Sequence, residues 1–219
     1  MMRKRNNEIM RTDELIHRLS NQAGIKAPAA MSFGRTVWVC LTLSIAIAML
    51  VVIGVSGLRP DLPTMLTAWP FQFKVAAMTL LAGGGFILVR AAGTPGMATR
   101  PHLALLPGVL FLLGGALFDR SGFPPLGVQQ LSAPVCVGVI VAASLPGLTI
   151  ILAGLRRGIP TRLASAGAIS GVLSGSLAAL AYTVACVNDG AVFVAIWYVA
   201  AISITTAIGA FAGRYALAW

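Results

Sequence analysis

Long apolar stretches, separated by short polar connections, restrict the fold of this 219-residue chain more than any other feature. A helix needs about 20 mostly apolar residues to cross the hydrocarbon core of a bilayer. Charged residues form only 10% of the sequence, whereas a soluble domain carries about 25%. The sequence therefore predicts an all-α integral membrane protein with six transmembrane helices. The predicted spans are Thr36–Leu58, Phe73–Ala91, Leu103–Phe118, Pro134–Leu155, Leu163–Cys186 and Ala191–Ala212.

The positive charges predict how the spans are oriented, because cytoplasmic connections carry an excess of Lys and Arg. A cytoplasmic amino terminus leaves Arg59, Lys74 and Arg120 on the outer side, and the other 13 of the 16 Lys and Arg residues on the inner side. With six spans, both termini are then cytoplasmic. The same scattered distribution argues against direct binding of nucleic acid.

Carboxylates and histidines are absent from the middle of every predicted span, which argues against an ion-coupled transporter. Lys74 lies near the end of a span, where we expect its side chain to extend to the membrane interface. Asp119 and Asp189 fall in outer connections, and we expect both carboxylates to be solvated.

Residues 1–35 are the only sizeable segment outside the apolar region, which occupies residues 36–219. Asp13 and Glu14 lie in what would be the first turn of a helix, where negative charge is favoured. A short apolar stripe follows, made of Leu15, Ile16 and Leu19. The pattern predicts a short amphipathic helix, which either lies on the inner leaflet or docks a soluble partner.

Small residues recur at every fourth position of the fifth predicted span, at Gly167, Gly171, Gly175 and Ala179. Such stripes let membrane helices approach closely. We expect this one to pack within the chain, rather than to form a homodimer seam or a conduction path. The oligomeric state itself stays open.

Several short motifs have a recognisable order and spacing on the six-span plan. They are Thr12-Asp13-Glu14-Leu15-Ile16, Leu58-Arg59-Pro60-Asp61-Leu62, Leu155-Arg156-Arg157-Gly158 with Pro160-Thr161-Arg162, Cys186, and Phe193-Val194-Ala195-Ile196-Trp197-Tyr198. In these motifs the chain resembles the NrsF (negative regulator of sigma F) family of six-span bacterial anti-sigma factors. The resemblance begins near residue 10, so we expect translation to start at either Met1 or Met10.

The resemblance implies a regulator of the bacterial inner membrane that is not an enzyme. Such a protein holds an extracytoplasmic-function sigma factor through its amino-terminal segment and releases it under periplasmic stress, heavy-metal stress being the expected kind. Its expected partners are therefore the sigma factor and the lipid bilayer. The residues expected to contact the sigma factor are Asp13, Glu14, Leu15, Ile16 and Leu19.

Two cysteines are predicted to share a depth near the outer face: Cys136 at the start of the fourth span and Cys186 at the end of the fifth. Thiolates are natural ligands for soft metals, and two at one level could bind a metal or oxidise together. The alternative is that both only pack, as cysteine does among apolar neighbours. The sequence predicts no obligatory cofactor, only a transient soft or thiol-reactive metal. Cys40, near the inner end of the first span, is interpreted as a packing residue.

A small inner-membrane transporter or channel-like protein, with its amino-terminal helix on the membrane surface, is the alternative function. It would need polar groups along a path through the bilayer. Beyond Ser and Thr, the sequence offers only Gln72 and Gln129–Gln130, all at the edges of spans.

Overall fold

The computed structural model describes residues 12, 14–17, 20, 32–94, 101–119, 122–127, 132–158 and 160–218. These residues form helices and connecting turns, with no β-strand among them. The chain divides into two compact units, Met1–Ser32 and Phe33–Trp219. In the first unit, the backbone is helical at residues 12, 14–17 and 20.

The described part of the second unit contains six helices of three or more turns. They are α1 (Phe33–Ser56), α2 (Trp69–Gly93), α3 (Leu106–Leu117), α4 (Ser132–Leu155), α5 (Leu163–Tyr182) and α6 (Ala191–Ala216). A single turn of helix, Leu62–Met65, lies between α1 and α2, and a 3₁₀ turn, Pro101–Leu105, leads into α3. Helix α6 contains a π-helical turn at Val194–Tyr198.

Five of these helices are long and apolar enough to cross a membrane: α1, α2, α4, α5 and α6. The predicted span Leu103–Phe118 is not among them, so six spans are not confirmed. Helix α3 has 12 residues and a length of about 18 Å, which is shorter than a hydrocarbon core of about 30 Å. Pro107 lies in its first turn, where the preceding 3₁₀ turn changes to α-helix.

The fifth span ends earlier than the sequence predicted, at Tyr182 instead of Cys186. The N–H of Thr183 bonds the carbonyl of Leu180, and the N–H groups of Ala185 and Cys186 both bond the carbonyl of Tyr182. These tight turns close the helix and place residues 183–190 in a connection that leads to α6. This connection holds most of the chemistry described below.

The small-residue stripe of α5 packs against α6 within the chain, as the sequence predicted. A Cβ atom added to Gly167 would lie 2.1 Å from the carbonyl oxygen of Gly209, and one added to Gly171 would lie 2.5 Å from that of Thr205. The two backbones therefore touch directly, which is how membrane helices gain van der Waals contact.

The second unit has two chemically different ends. The cysteine end contains Arg59, Lys74, Cys136 and Cys186, which are joined by hydrogen bonds or close contacts. The opposite arginine end contains the last residues of α2, α4 and α6. Helix α2 has Arg90 in its last turn, α6 has Arg214, and Arg156 follows α4 directly and donates a hydrogen bond to the carbonyl of Ala216.

Replacing Gly167 by valine should destabilise the α5–α6 contact, because a side chain there overlaps the backbone of α6. Overpacking of this kind costs about 1–3 kcal/mol or more. Thermal unfolding of the purified protein in detergent measures the effect. Gly138→Val is the matched control, since a Cβ at Gly138 meets nothing within 4 Å. Equal melting temperatures for the two variants would contradict the close contact.

Candidate functional site

Cys136 and Cys186 form a buried thiol pair at the cysteine end. Cys136 lies in the first turns of α4 and Cys186 in the connection between α5 and α6, and their Sγ atoms are 3.6 Å apart. Both are free thiols and almost fully buried. The structure thus brings together the two cysteines that the sequence placed at a common depth.

Cys40 lies apart from this pair. Its Sγ is 3.6 Å from the carbonyl oxygen of Ile150 and packs against Gly154, where an added Cβ would come within 2.7 Å of the sulfur. Its surroundings agree with the interpretation of Cys40 as a packing residue.

A charge cluster, formed by Arg59, Asp61, Lys74 and Asp189, lies beside the thiol pair. One oxygen of Asp189 is 2.7 Å from Nζ of Lys74, and the other is 2.8 Å from Nη1 of Arg59. Arg59 also donates to both oxygens of Asp61, at 2.8 and 2.7 Å. Two positive and two negative charges therefore balance within the cluster.

The predictions that Lys74 extends to the membrane interface and that Asp189 is solvated were both wrong. Lys74 is fully buried instead of extending to the interface, and Asp189 is 3% exposed instead of solvated. A charge is buried at tolerable cost only when it is paired and hydrogen-bonded. Here the ammonium group of Lys74 has the Asp189 carboxylate, two backbone carbonyls and the face of the Tyr198 ring, whose centroid is 5.8 Å away.

Asp119 is not simply solvated either, because its carboxylate accepts a hydrogen bond from the backbone N–H of Val192 at 3.0 Å. This places a negative charge at the first turn of α6, where the helix dipole favours it.

The charge cluster also holds the backbone of Cys186. The carbonyl oxygen of Cys186 accepts hydrogen bonds from Nη1 of Arg59, at 3.0 Å, and from Nζ of Lys74, at 3.1 Å. Lys74 donates to the carbonyl of Asn188 as well, at 3.2 Å. The position of Cys186 relative to Cys136 therefore depends on two cations that share one carboxylate.

The contacts of the cluster shift several pKa values outside the spanning helices. The hydrogen bonds between Arg59 and Asp61 raise the pKa of the guanidinium group and lower the pKa of the carboxyl group. The hydrogen bond with Cys136, aided by the charge of Lys74, lowers the pKa of Cys186. Thiolates are the form of cysteine that reacts and binds metals, so the direction of this shift favours the reactive form of Cys186.

A cavity of about 670 Å³ borders the charge cluster. Most of its wall is apolar or aromatic, including Trp69, Phe73 and Phe111, while Asp119 and Asp189 supply carboxylates. A small molecule in this cavity would therefore reach the Asp189 side of the cluster.

The residues expected to contact a sigma factor are described only in part. Glu14, Leu15 and Ile16 have helical backbone and exposed side chains, with Leu15 56% and Ile16 57% exposed. Asp13 and Leu19 lie outside the described residues.

The charge cluster was not predicted from the sequence, although the motif Leu58-Arg59-Pro60-Asp61-Leu62 contains two of its four residues. Arg59, Lys74 and Asp189 are separated by 15 and 115 positions, so only the folded chain shows their proximity. One signal was available. Basic residues are rare on the outer side of this chain, and two of the three assigned there meet one of its few acids.

Comparison with known proteins gives consistent results. Residues 22–219 match the family model described as "Negative regulator of sigma F", NrsF. The chain is similar to the "Probable anti-sigma-F factor NrsF" of Azospira oryzae, with 30% identity over 217 residues, and to the "Anti-sigma-F factor NrsF" of Caulobacter vibrioides, with 28% identity over 225 residues. Each alignment covers 96% of this chain and 100% of the relative. No solved structure matches.

Loss of one charge from the cluster should be more damaging than loss of a balanced pair. Breaking a buried ion pair by removing one partner costs about 3–5 kcal/mol, because a buried charge is left uncompensated. We expect Asp189→Asn to destabilise the protein most, since it leaves Lys74 without its carboxylate. Adding Lys74→Met should restore much of the loss, because Arg59 keeps Asp61. Thermal unfolding of the two single variants and the double variant tests this, and strictly additive effects would contradict it.

Proposed function

Because the chain belongs to the negative regulator of sigma F family, we propose that it is a membrane-bound anti-sigma factor that holds an extracytoplasmic-function sigma factor. Full-length similarity to two proteins named as anti-sigma-F factors supports the general role. Five helices long enough to cross a membrane support attachment to a bilayer. A sigma factor and the lipid bilayer are its proposed partners.

The amino-terminal segment, residues 1–35, is the proposed docking element for the sigma factor. Leu15 and Ile16 expose apolar side chains on helical backbone, and Glu14 beside them is exposed too. An apolar helical face that inserts into a groove is a recurrent mode of recognition. In this proposal Leu15, Ile16 and Leu19 are the apolar anchors, while Asp13 and Glu14 contact basic groups of the sigma factor.

The proposed location is the bacterial inner membrane, with both termini in the cytoplasm. The inner-side excess of Lys and Arg supports this orientation. The arginine end would then face the cytoplasm, where the sigma factor is, and the cysteine end would face the periplasm. Inner and outer ends thus match the two tasks of binding a cytoplasmic partner and sensing an external stress.

The thiol pair is the proposed sensor of periplasmic stress by heavy metals or thiol-reactive agents. The observation that favours this role is the 3.6 Å separation of the Cys136 and Cys186 sulfurs, beside a charge cluster that binds the backbone of Cys186. A modification that moves Cys186 must also disturb the hydrogen bonds that its carbonyl accepts from Arg59 and Lys74. A chemical change at the sulfurs would therefore rearrange the whole cysteine end.

The sulfur geometry is compatible with a soft metal bound by both thiolates. Cys136 and Cys186 would hold such a metal through their thiolates, which soft metals prefer as ligands. Within the part of the chain that the structure describes, no group of three or more His, Cys, Asp and Glu side chains could hold a metal. The remaining ligands of such a metal would be carbonyl oxygens, water or external thiols, which fits transient binding.

One observation favours the alternative function of a transporter: Lys74 is an ionisable group buried within a spanning helix. Such groups often mark ion or substrate pathways. In this structure, however, Lys74 is fully engaged with Asp189 and two carbonyls at one end of the unit. This arrangement favours a structural and sensing role over a path across the bilayer.

The docking proposal is tested with full-length protein in lipid nanodiscs and the extracytoplasmic-function sigma factors of the same genome. We expect one sigma factor to bind, and Leu15→Ala/Ile16→Ala to weaken binding at least tenfold, because truncated apolar anchors cost at least about 1 kcal/mol each. His17→Ala, in the same helical stretch, is the control and should bind normally. If no sigma factor binds and the segment only attaches to anionic vesicles, the docking proposal is wrong.

The sensing proposal is tested by release of the bound sigma factor on addition of Cd²⁺, a soft metal that two neighbouring thiolates can bind together. We expect wild-type protein to release the sigma factor, and Cys136→Ser and Cys186→Ser to retain most of it, because a single thiol can neither chelate nor pair. Cys40→Ser is the matched control and should respond as the wild type does. A full response from either of the first two variants would remove the thiol pair from the mechanism.

A further inference from the structure

The first residue of α1, Phe33, occupies a slot at the arginine end that is made by two glycines. A Cβ added to Gly93, the last residue of α2, would lie 2.0 Å from Cζ of the Phe33 ring. A Cβ added to Gly158, in the turn after α4, would lie 3.0 Å from Cε2 of the same ring and 3.0 Å from Cα of Gly93. The ring is thus seated where neither glycine has a side chain.

At this slot, van der Waals contacts join α1, the end of α2 and the turn after α4. The Phe33 ring also packs against the apolar cluster that contains Val37, Val89 and Leu155, which come from α1, α2 and α4. Interiors packed this closely transmit small displacements instead of absorbing them. A shift of α2 relative to α4 would therefore widen or close the slot and move the ring.

The same three helices reach the cysteine end with their other termini. Helix α1 leads to Arg59, α2 has Lys74 in its second turn, and α4 has Cys136 in its first turns. Each helix has 24 or 25 residues, so each spans about 36 Å between the two ends. Every helix that frames the slot thus ends at the charge cluster or the thiol pair.

Phe33 also follows directly on the amino-terminal unit, which ends at Ser32. We infer that Phe33 is the positioning residue through which the thiol pair controls the amino-terminal segment: a change at Cys136 and Cys186 shifts α2 against α4, and the Phe33 ring leaves its slot. This inference rests on the proposed function, because it supplies the step between sensing and release. Coupling between distant sites typically changes an equilibrium about 5- to 150-fold, and the threefold change expected below lies under that range.

The inference has a test that needs no sigma factor. Full-length protein in vesicles is treated with N-ethylmaleimide, and the rate of trypsin cleavage at Lys26 is measured before and after. All samples carry Cys40→Ser, so that only the thiol pair can react, and are otherwise wild type unless a substitution is named. In wild-type protein we expect alkylation of the thiol pair to change this rate at least threefold. In Phe33→Ala the rate should be the same with and without the reagent, because no ring is left to leave the slot. Leu50→Ala, which removes an exposed side chain of the same helix, should respond as the wild type does.

Gly93→Ala provides a second variant in case Phe33→Ala does not fold. Its added methyl overlaps the ring, so the ring must leave the slot permanently, and cleavage should again become insensitive to the reagent. A wild-type rate that does not change on alkylation, or variants that respond as fully as the wild type, would overturn the inference. Sigma-factor capture by the same samples reports separately on the proposed function.

Discussion

The sharing of one buried carboxylate between two cations is the constraint on which the cysteine end depends. Asp189 pairs with both Arg59 and Lys74, and the two cations in turn bind the carbonyl oxygen of Cys186. In an apolar environment none of these charges would be tolerated singly. The connection between α5 and α6 therefore has one strongly favoured position, which places the Cys186 thiol 3.6 Å from that of Cys136.

The charge cluster connects the backbone next to the Cys186 thiol to two other elements of the chain. The backbone carbonyl of Cys186 is held by charged groups from two other elements of the chain. Sulfur chemistry that displaces this backbone has to break hydrogen bonds to Arg59, in the connection after α1, and to Lys74, in the second turn of α2. Under the proposed function, modification of the thiols would be coupled to movement of the spanning helices through these hydrogen bonds.

The sequence was sufficient for the features that depend on local pattern. Apolar length predicted the helices, and the spacing of Gly167 and Gly171 predicted the close contact of α5 within the chain, because periodicity is a property of consecutive residues. The charge cluster was missed because its members come from three separate segments. Lys74 was predicted to lie at the membrane interface because its partner, Asp189, is 115 positions away in the sequence. The length of helix α3 was overestimated, since apolar composition alone does not show where a 3₁₀ turn replaces α-helix.

The most direct test of the account is whether the two buried thiols can be joined to each other. Mild oxidation of the protein in native membranes, followed by peptide mass spectrometry, identifies every disulfide formed. The account predicts an intramolecular bond between Cys136 and Cys186, with Cys40 left as a free thiol, and loss of this selectivity in Asp189→Asn. Absence of the bond in wild-type protein, or an equal yield of bonds to Cys40, would contradict the geometry on which the proposed sensor rests.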